Sequence, residues 1–182
     1  LLVGVKDNGV IKGIQTDEEV YMVEAAAELY SKPKVAYTIN TWMIKGKTVL
    51  EVNIDESTNK PHLAPWKNGK WKAFVRVDDE NFLADAVQVE AWRRKSANKG
   101  IYFEFNNHEQ SVLQHIKENK WIDLKKLCLH ISASRSAVKK ILSKLVALDV
   151  VIVQHRENKS FYIFNEEIAE NENIMRRGMN FE

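Results

Sequence analysis

The segment from Ser134 to Leu148 constrains the fold of this chain more than any other. Its apolar residues recur at spacings of three and four, the period of one face of an α-helix. Ser134 stands where its side chain can accept a hydrogen bond from the first turn, so it is the expected N-cap. The positions expected to face a core are Val138, Ile141, Leu142, Leu145 and Leu148. The positions expected to face outward are Arg135, Ser136, Lys139, Lys140 and Ser143.

The neighbouring segments complete a known order of elements. Apolar spacing predicts a helix from Asn107, and Asp123 is the expected N-cap of a shorter second helix, in which Leu129 is one of the apolar positions. Two short strands flank the loop 155–160, and they are predicted at 150–154 and 161–164. Three helices and a hairpin in this order predict a winged helix-turn-helix domain over residues 107–165.

Positive charge is concentrated in the same region. Between Ser111 and Phe164 there are ten basic and four acidic residues. A recognition helix meets base edges with its first turn. The expected DNA contacts there are Ser134, Arg135 and Ser136, of which Arg135 and Ser136 are expected to reach the bases. The cations expected to meet phosphates are Lys139, Lys140, Arg156 and Lys159. A merely solvated basic face and a protein-docking module are the alternatives.

A second basic window lies between Ser57 and Arg76, which contains five basic residues and no acidic ones. Trp66 and Trp71 are interleaved with the cations, a pattern that combines stacking faces with phosphate-binding charge. We favour a core position for Trp71, because it begins a predicted strand. The possible nucleic-acid contacts of this window are Lys60, His62, Trp66, Lys67, Lys70 and Lys72.

The N-terminal part mixes strands and helices. A hairpin with its turn at Asp7-Asn8-Gly9 is followed by a capping box, Thr16 to Glu19, which predicts a helix to Tyr30. Further strands are predicted at 35–42, 48–54 and 71–77, and a helix at 85–95. We therefore predict an α+β chain with a first domain at 1–95, a linker at 96–106, the winged helix at 107–165 and a tail at 166–182.

Composition excludes several classes of protein. No apolar run approaches the length of a membrane span, and a single cysteine, Cys128, suits a reducing compartment, so we expect a cytoplasmic protein without a membrane partner. Cys128 and His130 have too few partners for a zinc site. We expect no cofactor and no catalytic residue.

Three stretches resemble the AlbA-like domain, also called divergent AAA-4, that forms the core of Schlafen proteins. They run from Leu2 to Ile14, over Lys60-Pro61-His62, and over Phe74-Val75-Arg76-Val77 with Asn81. The resemblance covers about half of the chain. It implies nucleic-acid binding by a mixed α/β fold, and an AlbA-like domain followed by a winged helix is a layout of bacterial transcriptional regulators.

The resemblance also raises two enzymatic alternatives. Schlafen-type nucleases use three carboxylates, of which only the position of Asp7 is present here, and the sequence begins without methionine, so we expect further residues upstream. We favour Asp7 as a turn former over a metal ligand. Family members are often labelled ATP-binding, but Gly46-Lys47-Thr48 lacks the glycine that a phosphate loop needs at Thr41, so we expect no ATPase activity.

We therefore expect a DNA-binding transcriptional regulator whose partner is double-stranded DNA and which forms a homodimer. A Schlafen-like nuclease acting on RNA or DNA and a protein-interaction module are the alternatives.

Overall fold

The computed structural model describes residues 1–97, 100–101 and 106–167. The chain forms two compact units, Leu1–Ala73 and the part from Phe74 onwards, and each is described by itself. No helix in the described part of the chain is long and apolar enough to span a bilayer.

The first unit is a small α/β arrangement. Its elements are β1 (Leu2–Val3), α1 (Glu18–Glu28), β2 (Thr38–Ile44), β3 (Lys47–Asn53), β4 (Ala64–Pro65) and β5 (Trp71–Lys72), with a 3₁₀ turn at Lys67–Gly69 before β5. Strand β3 lies between β1 and β2, antiparallel to both. Val49, Leu50 and Val52 of this central strand are buried.

Local sequence signals explain where α1 begins. The Glu19 carboxylate accepts hydrogen bonds from the backbone N–H groups of Gln15 and Thr16, and the Thr16 hydroxyl accepts one from Glu18. These bonds hold the pKa of Glu19 below its usual range. The predicted capping box is confirmed, and the helix ends at Glu28, two residues before the predicted Tyr30.

Within its described residues, the second unit combines a hairpin, four helices and a further hairpin. Its elements are β6 (Phe74–Val77), β7 (Glu80–Leu83), α2 (Ala86–Ser96), α3 (Asn107–Glu118), α4 (Leu124–His130), α5 (Arg135–Ala147), β8 (Val151–Arg156) and β9 (Lys159–Phe164). One core joins α2, α3, α4, α5 and the β8–β9 hairpin. Its buried members are Val87, Val112, Ile116, Ile122, Leu127, Ile131, Val138, Ile141, Leu142, Leu145, Val151 and Tyr162.

Helix α2 packs alongside α5 in the same direction. At one end the Asp85 carboxylate binds the hydroxyl of Tyr162, and at the other Lys95 forms an ion pair of 2.6 Å with Asp149. Between them the Arg94 guanidinium donates to the Ser143 hydroxyl at 3.2 Å. The two compact units therefore divide at 73/74, earlier in the chain than the linker predicted at 96–106.

Three sequence expectations differ from the structure. The predicted strand 71–77 is divided at Ala73, because Trp71–Lys72 pairs with β4 whereas Phe74–Val77 pairs with β7. Leu148 is 37% exposed, since it is the C-cap of α5, and Leu129 is 76% exposed on the outer side of α4. Parts of the predicted linker, at 98–99 and 102–105, and the predicted tail from 168 lie outside the described residues.

Candidate nucleic-acid interface

The first two turns of α5 present the predicted contact residues. Ser134 is the N-cap, and its hydroxyl accepts from the backbone N–H of Ala137 at 3.2 Å. Arg135, Ser136 and Lys140 are exposed, and Lys139 is half-buried. Ser143 was predicted to face outward, but it is 1% exposed, because α2 covers this side of the helix. Only the N-terminal half of α5 therefore has an open outer face.

The hairpin carries two of the predicted phosphate contacts. Arg156 and Lys159 were predicted in a six-residue loop, but they are directly paired at the end of the β8–β9 ladder. The turn consists of Glu157 and Asn158 alone, both at positive φ, as a two-residue hairpin turn requires. Both cations are exposed, so the strand pairing places two positive charges next to each other at the tip.

A groove joins the start of α5 to the hairpin. It has a volume of about 500 Å³, and its cationic walls come from α4, α5 and β9, namely Lys125, Arg135, Lys139 and Lys159. Within the described residues none of these four cations forms an ion pair. Lys125 was missed from the sequence, although its position two residues after the Asp123 cap places it in the exposed first turn of α4.

Two carboxylates also line this groove, and both accept hydrogen bonds from other groups of the protein. Asp85 accepts from the backbone N–H of Gln88 and from Tyr162, at 2.8 and 2.7 Å. Asp123 accepts from the backbone N–H of Lys126 at 2.8 Å. Burial, and next the nearby Asp85, raise the pKa of Tyr162, so its hydroxyl keeps its proton and remains the donor. The cations are therefore the groups left available to a ligand.

Lys140 lies on the opposite flank of α5. It lines a second groove between the starts of α3 and α5, together with Ser134 and Glu109. Glu109 is 7% exposed, and its Oε2 atom has no hydrogen-bond partner among the residues that the structure describes. Lys139 and Lys140 thus line different grooves, whereas the helical spacing predicts both on one outward face.

Several residues of the basic window in the first unit already form ion pairs or hydrogen bonds within the protein. Lys60 forms an ion pair of 2.6 Å with Glu56. His62 donates from Nδ1 to the Pro33 carbonyl at 2.8 Å, and its Nε2 accepts from the Ser57 hydroxyl at 2.7 Å. With both ring nitrogens engaged, His62 holds the loop in place. Its predicted nucleic-acid contact would require one of these bonds to break.

The aromatic residues of this window differ in exposure. Trp71 is half-buried, with the ammonium group of Lys32 at 4.0 Å from its ring centroid. Trp66 is 39% exposed, and Lys67 lies over its ring at 5.4 Å. Lys70 and Lys72 are exposed. Trp66 with Lys67 is therefore the more accessible aromatic pair.

The residues considered for metal or phosphate chemistry lie in turns and on helix surfaces. Asp7 is exposed at the tip of the first hairpin, where Gly9 donates to the Lys6 carbonyl at 2.8 Å. Gly46 lies in the turn between β2 and β3. His130 of α4 has its ring 5.2 Å from that of His115. No group of three potential metal ligands occurs among the residues that the structure describes.

Comparison with known proteins concerns the N-terminal part. A family model described as Schlafen, AlbA_2 matches residues 1–85. Neither the curated proteins nor the solved structures include a match to this chain. The matched range extends beyond the first compact unit and takes in the hairpin β6–β7 of the second. Residues 1–85 are thus similar to the AlbA_2 domain of Schlafen proteins, which is compatible with a function related to nucleic acids.

Proposed function

We propose that the second unit is a winged helix-turn-helix module that binds double-stranded DNA through the start of α5 and the β8–β9 hairpin. The observation that carries this proposal is the groove lined by Lys125, Arg135, Lys139 and Lys159. Cations from three different elements converge on it, and among the described residues none of them forms an ion pair. Such a cluster favours a polyanionic ligand, because phosphates neutralise the charges and release counterions.

The connectivity of the second unit supports the same proposal. Ile122, between α3 and α4, forms an antiparallel bridge to Tyr162 of β9, with backbone hydrogen bonds of 3.4 and 2.8 Å. A short extended segment after α3 therefore pairs with β9, the last strand of the unit. The resulting order of helix, strand, helix, helix and hairpin positions α5 with one open face, as a recognition helix requires.

The contacts divide by reach. Arg135 and Ser136, in the first turn of α5, are assigned to base edges, because they are exposed at the end of the helix that would enter the major groove of DNA. Lys125, Lys139, Arg156 and Lys159 are assigned to phosphates. Ser134 is occupied as the N-cap, so its contribution is to fix the helix start. Lys140 is assigned to a flanking phosphate on the other side of α5.

Salt-dependent binding tests the proposal. The affinity of the intact chain for a random-sequence DNA duplex is measured over a salt series, for the unmodified protein, Lys139→Ala, Lys159→Ala and the control Arg93→Ala. Arg93 is exposed on α2 and does not line the groove. Each groove variant should make the slope of log affinity against log salt shallower by about 0.9, whereas the control should leave it unchanged.

The outcomes separate this function from its rivals. No binding at low salt would refute the proposal and favour a protein-interaction module. Equal losses in the groove variants and in Arg93→Ala would show that binding is not located in this groove. Cleavage of RNA or DNA that requires a divalent metal and is lost in Asp7→Ala would support the Schlafen-like nuclease instead.

We further propose that the DNA-binding protein is a cytoplasmic transcriptional regulator that acts as a homodimer. A dimer would present two copies of α5 to paired half-sites one helical turn apart. Light scattering of the free protein and of its DNA complex measures the stoichiometry. A single copy per duplex at saturation would contradict the dimer.

A further inference from the structure

Trp121 is held against the β8–β9 hairpin by the backbone pairing of the next residue and by contact of its own ring. The next residue, Ile122, is 1% exposed and is bonded to β9 through both backbone groups of the bridge to Tyr162. The indole of Trp121 meets the ring of Phe161 edge-on, with centroids 5.9 Å apart and an interplanar angle of 77°. This edge-to-face arrangement is favourable for aromatic pairs, so the indole has a defined orientation.

One face of the indole is covered by the guanidinium group of Arg156. The guanidinium carbon of Arg156 lies 3.7 Å from the centroid of the Trp121 ring. At this distance a guanidinium stacks on the ring and is attracted by its negative face. A stacked guanidinium still directs its N–H groups outward from its edge, where they can donate to a ligand.

The position of Arg156 is costly for the isolated protein. Its direct cross-strand partner is Lys159, and like charges opposite each other destabilise a strand pair. Among the described residues neither side chain forms an ion pair with a carboxylate. A backbone phosphate placed between the two cations would attract both and offset their mutual repulsion, and its oxygens match the planar donor edge of a guanidinium.

We propose that Trp121 is a positioning residue that holds the Arg156 guanidinium beside Lys159, so that the end of the hairpin binds a phosphate of the nucleic-acid backbone. This inference rests on the proposed function and adds a residue to it. Trp121 acts through Arg156, since a packed indole limits the rotamers of the arginine and reduces the entropy lost on binding.

A double-mutant cycle on DNA affinity tests this role. Binding of the intact chain to a random-sequence duplex is compared for Trp121→Leu, Arg156→Ala, the double variant and Trp121→Phe. Trp121→Leu should weaken binding by about two- to five-fold, the range expected for an exposed cation–π contact. The same change should have no effect when Arg156 is already alanine. Trp121→Phe retains an aromatic face and should restore most of the affinity.

A reference cycle separates positioning from loss of structure. Trp121→Leu combined with Arg93→Ala should give additive effects, because Arg93 lies on α2 and is not stacked on Trp121. Thermal unfolding of each variant shows whether the second unit remains folded. If Trp121→Phe binds as poorly as Trp121→Leu, or if Trp121→Leu weakens binding equally with and without Arg156, the positioning role is wrong.

Failure of this inference differs from failure of the proposed function. If the unmodified protein binds no duplex, the proposed function fails and the inference fails with it. If Arg156→Ala weakens binding and makes the salt slope shallower while Trp121→Leu changes neither, DNA binding stands and only the role of Trp121 is refuted.

Discussion

The hydroxyl of Tyr162 donates to the Oδ2 atom of Asp85 at 2.7 Å, across 77 residues of sequence. The Oδ1 atom of the same carboxylate accepts from the backbone N–H of Gln88 at 2.8 Å. One side chain therefore caps α2 and fastens that helix to β9. The bond lies where the β8–β9 hairpin meets α2, the helix that covers α5. The Tyr162 side chain is buried there, with 1% of its surface exposed.

Replacing Tyr162 by phenylalanine removes the donor and leaves Asp85 with an unpaired oxygen. We expect the free energy of unfolding to fall by about 1.5–3 kcal/mol, the range for a hydrogen bond to a charged group. Denaturant unfolding followed by circular dichroism measures the change. Tyr21→Phe is the matched control, since Tyr21 is 65% exposed and should unfold as the unmodified chain does.

The division at 73/74 predicts which fragments are stable. A fragment that begins at Phe74 keeps the contacts of α2 with α5 and β9, whereas one that begins at Asn106 loses Asp85 and the buried Val87. We expect the shorter fragment to be less stable by about 3 kcal/mol or more, from a lost hydrogen bond and lost apolar burial. Equal stability in denaturant would instead support the linker predicted at 96–106.

His155 makes the second unit sensitive to acid. It is 8% exposed, stacks on Phe82, and donates from Nε2 to the Gln88 side-chain carbonyl at 2.9 Å. Burial lowers its pKa below 6.5, although Asp85 opposes the shift. Because the unfolded chain binds the proton more tightly, stability is complete above pH 6.5 and declines as the pH falls through that value.

Unfolding free energies measured between neutral and mildly acidic pH check this expectation. His155→Gln should lower stability at every pH and flatten its dependence on pH. The control His108→Gln alters an exposed histidine and should keep the original dependence. A dependence that persists unchanged in His155→Gln would assign the acid sensitivity to other groups.

Ser134 has a structural role that can be separated from the proposed DNA binding. Ser134→Ala removes the cap of α5 and should cost about 1 kcal/mol, while Ser134→Asp should keep it, because aspartate caps as well as serine. The added negative charge should nevertheless weaken DNA binding. Ser136→Ala, which removes no cap, should change stability by less than about 0.5 kcal/mol. Thermal unfolding and duplex affinity distinguish the two effects.

The helices of the second unit could be predicted because their start signals are local. Asp123 and Ser134 each accept from the backbone N–H three residues ahead, a bond that the sequence alone reveals. The same holds for Asp85 and α2. Apolar spacing then placed Val138, Leu142 and most of their neighbours correctly in the core.

The errors concern contacts between distant segments. Ser143 is buried because Arg94 of α2 binds it, and nothing near Ser143 in the sequence signals this partner. The hairpin turn was also missed, since Glu157-Asn158 is not one of the glycine-containing pairs that usually mark two-residue turns. Consequently Arg156 and Lys159 were placed in a six-residue loop, whereas they end a regular ladder.

The cover that α2 forms over Ser143 limits how many base pairs a single copy of α5 could contact in the proposed binding to DNA. Two open turns span about 10 Å at the helical rise, which corresponds to about three base-pair steps. Three steps distinguish at most about 64 sequences, against the 10⁶ or more competing sites of a genome. For the proposed DNA-binding role, recognition of a unique genomic site must therefore combine several such short contacts.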